Sequence, residues 1–266
     1  MKRQRDIFLS LLLFVLTLGL QSVGFAQEES NGKASVTLHV YGPGGPAPAM
    51  RDAAQAFAEK KGIAVEVSAG PTADWEGQAL QDADLIFSGS EHMMTDFQQK
   101  ELPDLIDPST IRTLYLRPSA ILVRPGNPKK IRGVKDLAKT DLRLLVVQGA
   151  GQIGMWEDVA GRTGSVKLVD GIRRNIGTVA PNSGEAKKIW NGDSRYDAWL
   201  IWTIWQKENP ASADLVPTEA EHTIYRSCGI GVTHRSRNKT VSKEFVDFLQ
   251  SAEGRKIFMK WGWIAP

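Results

Sequence analysis

Three short loops rich in glycine or serine could bind a small ligand through the protein backbone. They span residues 42–45, 88–90 and 149–154, and each lies between a segment of strand character and a segment of helix character. A fourth candidate is the predicted helix start at Asn182 and Ser183. Glycine lets a ligand approach the backbone closely, and helix N-termini present unpaired N–H groups and a positive dipole end. Each feature alone could be a simple connection, but together they predict an anion site.

The loop at residues 149–154 also matches the glycine pattern of a dinucleotide-binding loop, with Asp170 about 20 residues downstream as in that pattern. However, the predicted helix behind it spans only residues 155–160 before Gly161 and Gly164 interrupt it. Nicotinamide cofactors are also scarce outside the cytoplasm. We therefore interpret this loop as part of an anion site and expect no cofactor.

Catalytic and metal-binding patterns give little support to an enzyme. The sequence has no Gly-x-Ser-x-Gly elbow and no Gly-Lys-Ser/Thr loop, and its single cysteine, Cys228, has no neighbouring zinc-type ligands. A triad assembled by the fold stays open, because triads are recognised by geometry and not by order. We expect no catalytic residue and no metal site. The histidines, interpreted as surface or capping residues, are His39, His92, His222 and His234.

Tryptophans and one arginine are the other candidate site residues. Trp199 and Trp205 are expected in the core, whereas Trp202, on the opposite face of the same predicted strand, could offer its indole N–H to an anion. Trp156 opens the helix after the third loop and is a further candidate. Arg117 lies in a long predicted strand, where we expect a solvated or salt-bridged role, with ligand contact as the alternative.

Composition and charge indicate a globular protein without a nucleic-acid partner. The 266 residues are 42% hydrophobic and 24% charged, and the formal net charge is +3. Residues 1–26 carry three basic side chains and one acidic one, so without them 30 basic and 29 acidic residues remain. Nucleic-acid-binding domains usually carry a clear basic excess, which this chain lacks.

The first 26 residues have the pattern of a secretory signal peptide. A basic start is followed by an apolar run at residues 7–20 and by the small residues Gly24 and Ala26. The run is shorter than the roughly 20 residues needed to cross a membrane. We expect cleavage after Ala26 and export to the periplasm.

Strand and helix patterns alternate along the rest of the chain. This alternation predicts an α/β fold with parallel sheets. Strands are predicted at residues 36–41, 63–68, 84–87, 114–123, 142–147, 166–169, 198–205 and 224–233. Helices are predicted at residues 46–61, 74–81, 91–99, 155–160, 183–190, 241–249 and 251–261.

Four segments closely resemble accessory colonisation factor C proteins, which are similar to the periplasmic molybdate- and sulfate-binding proteins. The segments are VYGPGGPAPAM at 40–50, DLIFSGS at 84–90, LYLRPSAILVRPGNP at 114–128 and DAWLIWTIW at 197–205. The likeness continues to the WGW ending at residues 261–263. The resemblance implies a type II periplasmic-binding-protein fold, with a ligand cleft between two α/β lobes joined by two crossing strands. We expect residues 27–119 and 207–266 in lobe 1 and residues 120–206 in lobe 2.

The resemblance also implies which positions contact the ligand. The matching residues are Gly44, Gly45, Thr72, Ser88 and Ser90 in lobe 1, and Gly151, Gln152, Asn182, Ser183 and Trp202 in lobe 2. Glycine replaces serine in the first loop, and Trp202 replaces the tyrosine of the molybdate-binding relatives. These replacements leave the identity of the anion open.

These observations predict an exported, non-enzymatic and monomeric solute-binding protein that delivers a small anion to a membrane ABC permease. Sulfate or a similar tetrahedral oxyanion is favoured, because neutral donors at helix starts suit a fully ionised ligand. The alternative ligand is a small carboxylate such as aspartate or citrate, which would recruit an arginine fork from Arg117 or Arg226. A third hypothesis is an adhesion protein or chemoreceptor partner that uses its surface and not the cleft.

Overall fold

The structure is a computed structural model that describes residues 36–266. The predicted signal peptide lies outside the described residues. Within residues 36–266 there are nine β-strands: β1 Thr37–Gly42, β2 Ala64–Ala69, β3 Leu85–Phe87, β4 Arg112–Val123, β5 Leu144–Val147, β6 Ile176–Ala180, β7 Ala198–Trp202, β8 Asp214–Pro217 and β9 Tyr225–Val232. The same residues form nine α-helices: α1 Ala47–Lys61, α2 Glu76–Asp82, α3 Glu91–Asp96, α4 Met155–Gly161, α5 Val166–Asn175, α6 Ser183–Gly192, α7 Ile204–Glu208, α8 Lys239–Gln250 and α9 Ala252–Lys260.

Local sequence signals set the ends of the two helices that matter most for the site. Helix α1 begins after Pro46 and ends at Gly62, which has φ +66° and donates its N–H to the carbonyl of Ala58 at 2.9 Å. Such a left-handed position favours glycine. Helix α6 begins at Asn182, whose side-chain oxygen accepts the N–H of Glu185 at 2.9 Å. Both starts agree with the sequence prediction.

Strand β4 connects two groups of strands. Its first part, Arg112 to Pro118, pairs antiparallel with β9, which continues through β3 and β1 to β2. Its second part, from Ser119 to Val123, pairs antiparallel with β7 and β8, and β7 continues through β5 to β6. The long strand therefore passes from one group to the other near Pro118.

The prediction of an α/β fold is confirmed, but the strand directions are mixed and not all parallel. The pairs β1–β2, β1–β3, β5–β6 and β5–β7 are parallel, but β4 and β9 run antiparallel to their neighbours. Strand β9 lies between β3 and the first part of β4, and β4 pairs with strands of both groups.

Two predicted strands also differ from the structure. Residues 166–169 begin helix α5, because Ser165 caps it by accepting the N–H of Leu168 at 3.2 Å and the buried positions Leu168 and Ile172 lie one helical turn apart. The strand that follows, β6, was missed. The predicted strand at 198–205 ends at Trp202, and Trp205 lies in α7, where it remains buried and packs 5.9 Å from Trp199.

The loops of interest follow the carboxyl ends of parallel strands. Strands β1, β3, β5 and β6 end at Gly42, Phe87, Val147 and Ala180, directly before the four predicted ligand-binding segments. In open α/β sheets, ligands bind at this end of the strands. Across residues 36–266, no helix combines the length and the apolar character needed to cross a membrane.

Candidate functional site

The four predicted loops contribute to the wall of one cavity. Its volume is about 170 Å³, similar to the cavity of about 150 Å³ that holds a benzene molecule. A cavity of this volume can hold a small molecule. Of the residues selected from the sequence, those at the wall are Gly44, Gly45, Thr72, Arg117, Gly151, Gln152, Asn182 and Ser183.

Arg117 is the charged group of this cavity. Its side chain is 1% exposed, and its Nη2 donates to the carbonyl oxygen of Gly151 at 3.3 Å. Its Nε is buried without a partner among residues 36–266, and no carboxylate of these residues lies within 4.0 Å of the guanidinium. The expectation of a solvated or salt-bridged arginine is therefore wrong, because β4 carries this side chain inward beneath the loops.

Burial lowers the pKa of the Arg117 guanidinium below its ordinary value of 12.5. The cause is the loss of hydration around the cation, since burial disfavours the charged form of a base. An anion in the cavity would supply the missing compensation.

Three loop glycines make room for this guanidinium. A Cβ atom added to Gly45 would lie 3.1 Å from Nη1, and one added to Gly89 or Gly151 would lie 3.2 Å or 2.5 Å from Nη2. The guanidinium thus lies against loops from both groups of strands. Side chains larger than glycine would have to displace it.

Two helix N-termini also lie at the cavity wall. Helix α1 starts beside Gly45, and α6 starts at Ser183. The side chain of Asn182 accepts the N–H of Glu185. The N–H groups of Ser183 and Gly184, in the same first turn of α6, have no partner within the helix, and an anion is favoured there.

Gln152, at the cavity wall, is hydrogen-bonded to three other residues. Its neighbours assign the orientation of its amide: the nitrogen donates to the carbonyl of Gly149 at 2.8 Å, and the oxygen accepts from Ser183 Oγ at 2.9 Å and Trp202 Nε1 at 3.3 Å. Trp202 is fully buried, lies outside the cavity wall and gives its N–H to Gln152. The prediction that this N–H faces an anion therefore does not match its position.

Three other selected residues contact protein in the structure. Ser88 Oγ accepts from the N–H of Gly229 at 3.3 Å, and Ser90 caps α3 by accepting from the N–H of Met93 at 3.0 Å. Gly89, between them, is the residue at the cavity wall. Trp156 is buried away from the cavity, with the guanidinium of Arg173 5.5 Å from its ring centre.

Several wall residues were not selected from the sequence. They are Pro43, Pro46, Gly70, Pro71, Gly89, Met93, Gly184 and Trp205. Most of them are neighbours of selected residues, so the loops were identified more reliably than the individual positions. Within the described part of the chain, no group of three or more histidine, cysteine, aspartate or glutamate residues is arranged to hold a metal ion.

Comparisons with proteins of known structure find relatives with the same fold. The structure of PEB3 bound to L-phospholactate is 36% identical in sequence, with a TM-score of 0.80, and the match covers 86% of this chain and all of that one. Peb3 from Campylobacter jejuni is 34% identical with a TM-score of 0.78, and the same shares of the two chains are covered. The molybdate-binding protein of Azotobacter vinelandii is 17% identical, with a TM-score of 0.65 over 86% of this chain and 99% of that chain, and shows the fold alone.

The type II periplasmic-binding-protein fold predicted from the resemblance is thus confirmed, as is the relation to accessory colonisation factor C proteins. A sulfate-binding protein and a molybdate-binding protein, 16% and 17% identical to this chain, share the fold. No curated protein sequence matches the chain. Residues 38–264 match the family model of bacterial extracellular solute-binding proteins. This chain therefore belongs to the bacterial extracellular solute-binding protein family.

Proposed function

We propose that this protein captures a small organic anion carrying both a phosphate and a carboxylate group, and delivers it to a membrane ABC permease. The observation that carries the proposal is the buried Arg117, which lines the cavity without a carboxylate partner among the described residues. A buried charge is stable only when it is paired. The missing partner in this site is the ligand.

The arginine favours a carboxylate or phosphate over an anion held by neutral donors alone. The planar guanidinium binds two oxygens of a carboxylate or of a phosphate through two parallel hydrogen bonds. The N-termini of α1 and α6 provide further places for negative charge at the wall. The ligand named for the PEB3 structure, L-phospholactate, combines both groups and supports this choice.

Sulfate or a similar tetrahedral oxyanion is the second candidate. The backbone N–H groups of Ser183 and Gly184 favour it, because neutral donors can hold a fully ionised anion. Aspartate and citrate are the further alternatives.

We also propose that the protein is an exported, periplasmic and non-enzymatic monomer that closes two lobes on its ligand. The resemblance placed the return to lobe 1 at residue 207. The pairing of β8 with Ala120 to Val123 of β4 supports a later return, after Pro217.

The test is a thermal-melt screen of the chain from Gln27 onward with L-phospholactate, sulfate, molybdate, phosphate, aspartate and citrate at matched ionic strength. A ligand at about 100 times its Kd stabilises the fold by about 2.7 kcal/mol. We expect the largest rise with L-phospholactate, its loss in Arg117→Met and its retention in the control Arg226→Gln, because Arg226 pairs with Asp158 at 2.8 Å and lies outside the cavity wall.

A rise with sulfate alone would favour the second candidate. The absence of any rise, even after unfolding and refolding to remove bound ligand, would contradict the cleft proposal. The adhesion or chemoreceptor hypothesis would then be the better account.

A further inference from the structure

Two buried indole rings contact the guanidinium of Arg117. Its Cζ lies 4.6 Å from the ring centre of Trp202 and 5.9 Å from that of Trp263. Both tryptophans are at most 1% exposed. At these distances the face of an indole attracts a cation, most strongly when water is excluded.

Trp263 reaches Arg117 from the last few residues of the chain. Gly262 turns the chain after α9 with φ +85°, and Ile264 then pairs with Leu116 through two backbone hydrogen bonds of 2.9 Å. Leu116 directly precedes Arg117 in β4. The C-terminal segment is therefore fastened to the strand that carries the arginine, and the ring of Trp263 packs on Phe258 at 5.9 Å.

A second arginine, directly after the end of β4, forms an arginine–tryptophan pair that is structural. Cζ of Arg124 lies 3.6 Å from the ring centre of Trp190. Three of its nitrogens donate to the carbonyls of Tyr196, Trp190 and Asp193 at 2.7, 2.9 and 2.6 Å. Arg117 has the aromatic contact but only one hydrogen bond within the described residues, so its remaining donors are free for a ligand.

We propose that Trp263 is a positioning residue for anion binding, which holds the Arg117 guanidinium in place from the side away from the ligand. This inference rests on the proposed function of Arg117. Trp263 is not one of the described residues that line the cavity. It therefore acts on the ligand through Arg117 and not by direct contact. An arginine side chain loses rotamer freedom when it binds a ligand, and a contact that restricts it beforehand reduces that cost.

The experiment measures L-phospholactate binding by titration calorimetry in the chain from Gln27 onward. The variants are Trp263→Met, Trp263→Phe and Arg117→Met, with Trp190→Met as the matched control. We expect up to about tenfold weaker binding for Trp263→Met, which corresponds to the cost of ordering one flexible side chain on binding. Trp263→Phe keeps an aromatic face and should bind about two- to threefold more weakly than the wild type.

The control separates positioning from general destabilisation. Trp190→Met removes the other arginine contact and should lower the melting temperature without changing the Kd. Wild-type affinity in a folded Trp263→Met variant, with binding lost in Arg117→Met, would overturn the inference and leave the proposed function intact. If the wild type bound neither L-phospholactate nor sulfate, the proposed function would fail and the inference with it. Should Trp263→Met not fold, Trp263→Phe decides, and unchanged affinity there would contradict the inference.

Discussion

A hydrogen bond joins Arg117 and Gly151, which belong to different groups of strands and their loops. In this bond, Nη2 of the arginine donates to the glycine carbonyl at 3.3 Å. Arg117 belongs to β4 where that strand pairs with β9, whereas Gly151 lies in the loop after β5. The guanidinium of Arg117 is thus oriented by the backbone of the loop that follows β5.

Substitution of Gly151 tests this arrangement. A Cβ atom there would lie 2.5 Å from Nη2 of Arg117, so Gly151→Ala should displace the guanidinium. We expect at least tenfold weaker L-phospholactate binding by calorimetry, with a small change in melting temperature. Gly77→Ala is the control, because its Cβ would meet no atom within 4 Å. Equal affinities of the two variants would contradict the prediction.

Arg117→Met should change stability and binding in opposite directions. At neutral pH the folded protein holds a buried cation whose pKa is lowered by burial, so folding without ligand carries the cost of desolvating that charge. Methionine removes the cost, and each kcal/mol regained should raise the ligand-free melting temperature by about 2–4 °C. The same variant should show no rise with L-phospholactate. A lower ligand-free melting temperature would show that Arg117 stabilises the fold.

Asn182→Asp should separate helix capping from anion binding. Aspartate caps a helix as well as asparagine does, so it should still accept the N–H of Glu185 and keep α6 stable. Its negative charge at the cavity wall should repel an anion. We expect weaker binding at low salt that improves as salt screens the charge. In the neutral capping variant Asn182→Ser, added salt should not improve binding. Equal dependence of the two variants' affinities on salt would refute the prediction.

Cys228 should be unreactive in the folded protein. It is fully buried, and burial raises the pKa of its thiol to about 12, so at pH 8 almost none of it is the reactive thiolate. An aromatic disulfide reagent should label no thiol in the native chain and one after denaturation, since the sequence has one cysteine. Rapid labelling of the native chain at pH 8 would contradict this. L-phospholactate should slow any labelling that occurs through transient unfolding.

The sequence predicted most of the fold because strong local signals agree with it. Gly62 and Asn182 ended and began helices where expected, and the loops after β1, β3, β5 and β6 were located from glycine and serine. Residues 166–169 were assigned wrongly because a short apolar run fits either a strand or one face of a helix. The cap at Ser165 and the burial of Leu168 and Ile172 decide for the helix.

The candidate site was predicted less well at the level of side chains. The hydroxyls of Ser88 and Ser90 accept hydrogen bonds from backbone N–H groups, and Gly89 between them lies at the cavity wall. Arg117 was judged solvated because arginine usually is. The available signal was its position in the middle of a mostly apolar strand, where a charge is buried only for a reason.

The place of Arg117 along β4 bears on the rates of ligand exchange. It immediately precedes Pro118, near which the strand leaves one group of strands for the other. Under the proposed closure of two lobes, a charge beside their pivot would shift little as the lobes open, so an arriving anion would meet Arg117 before the outer loops close. Electrostatic attraction by Arg117 should therefore govern association, and the loops at Gly45 and Ser183 should govern how long the ligand stays.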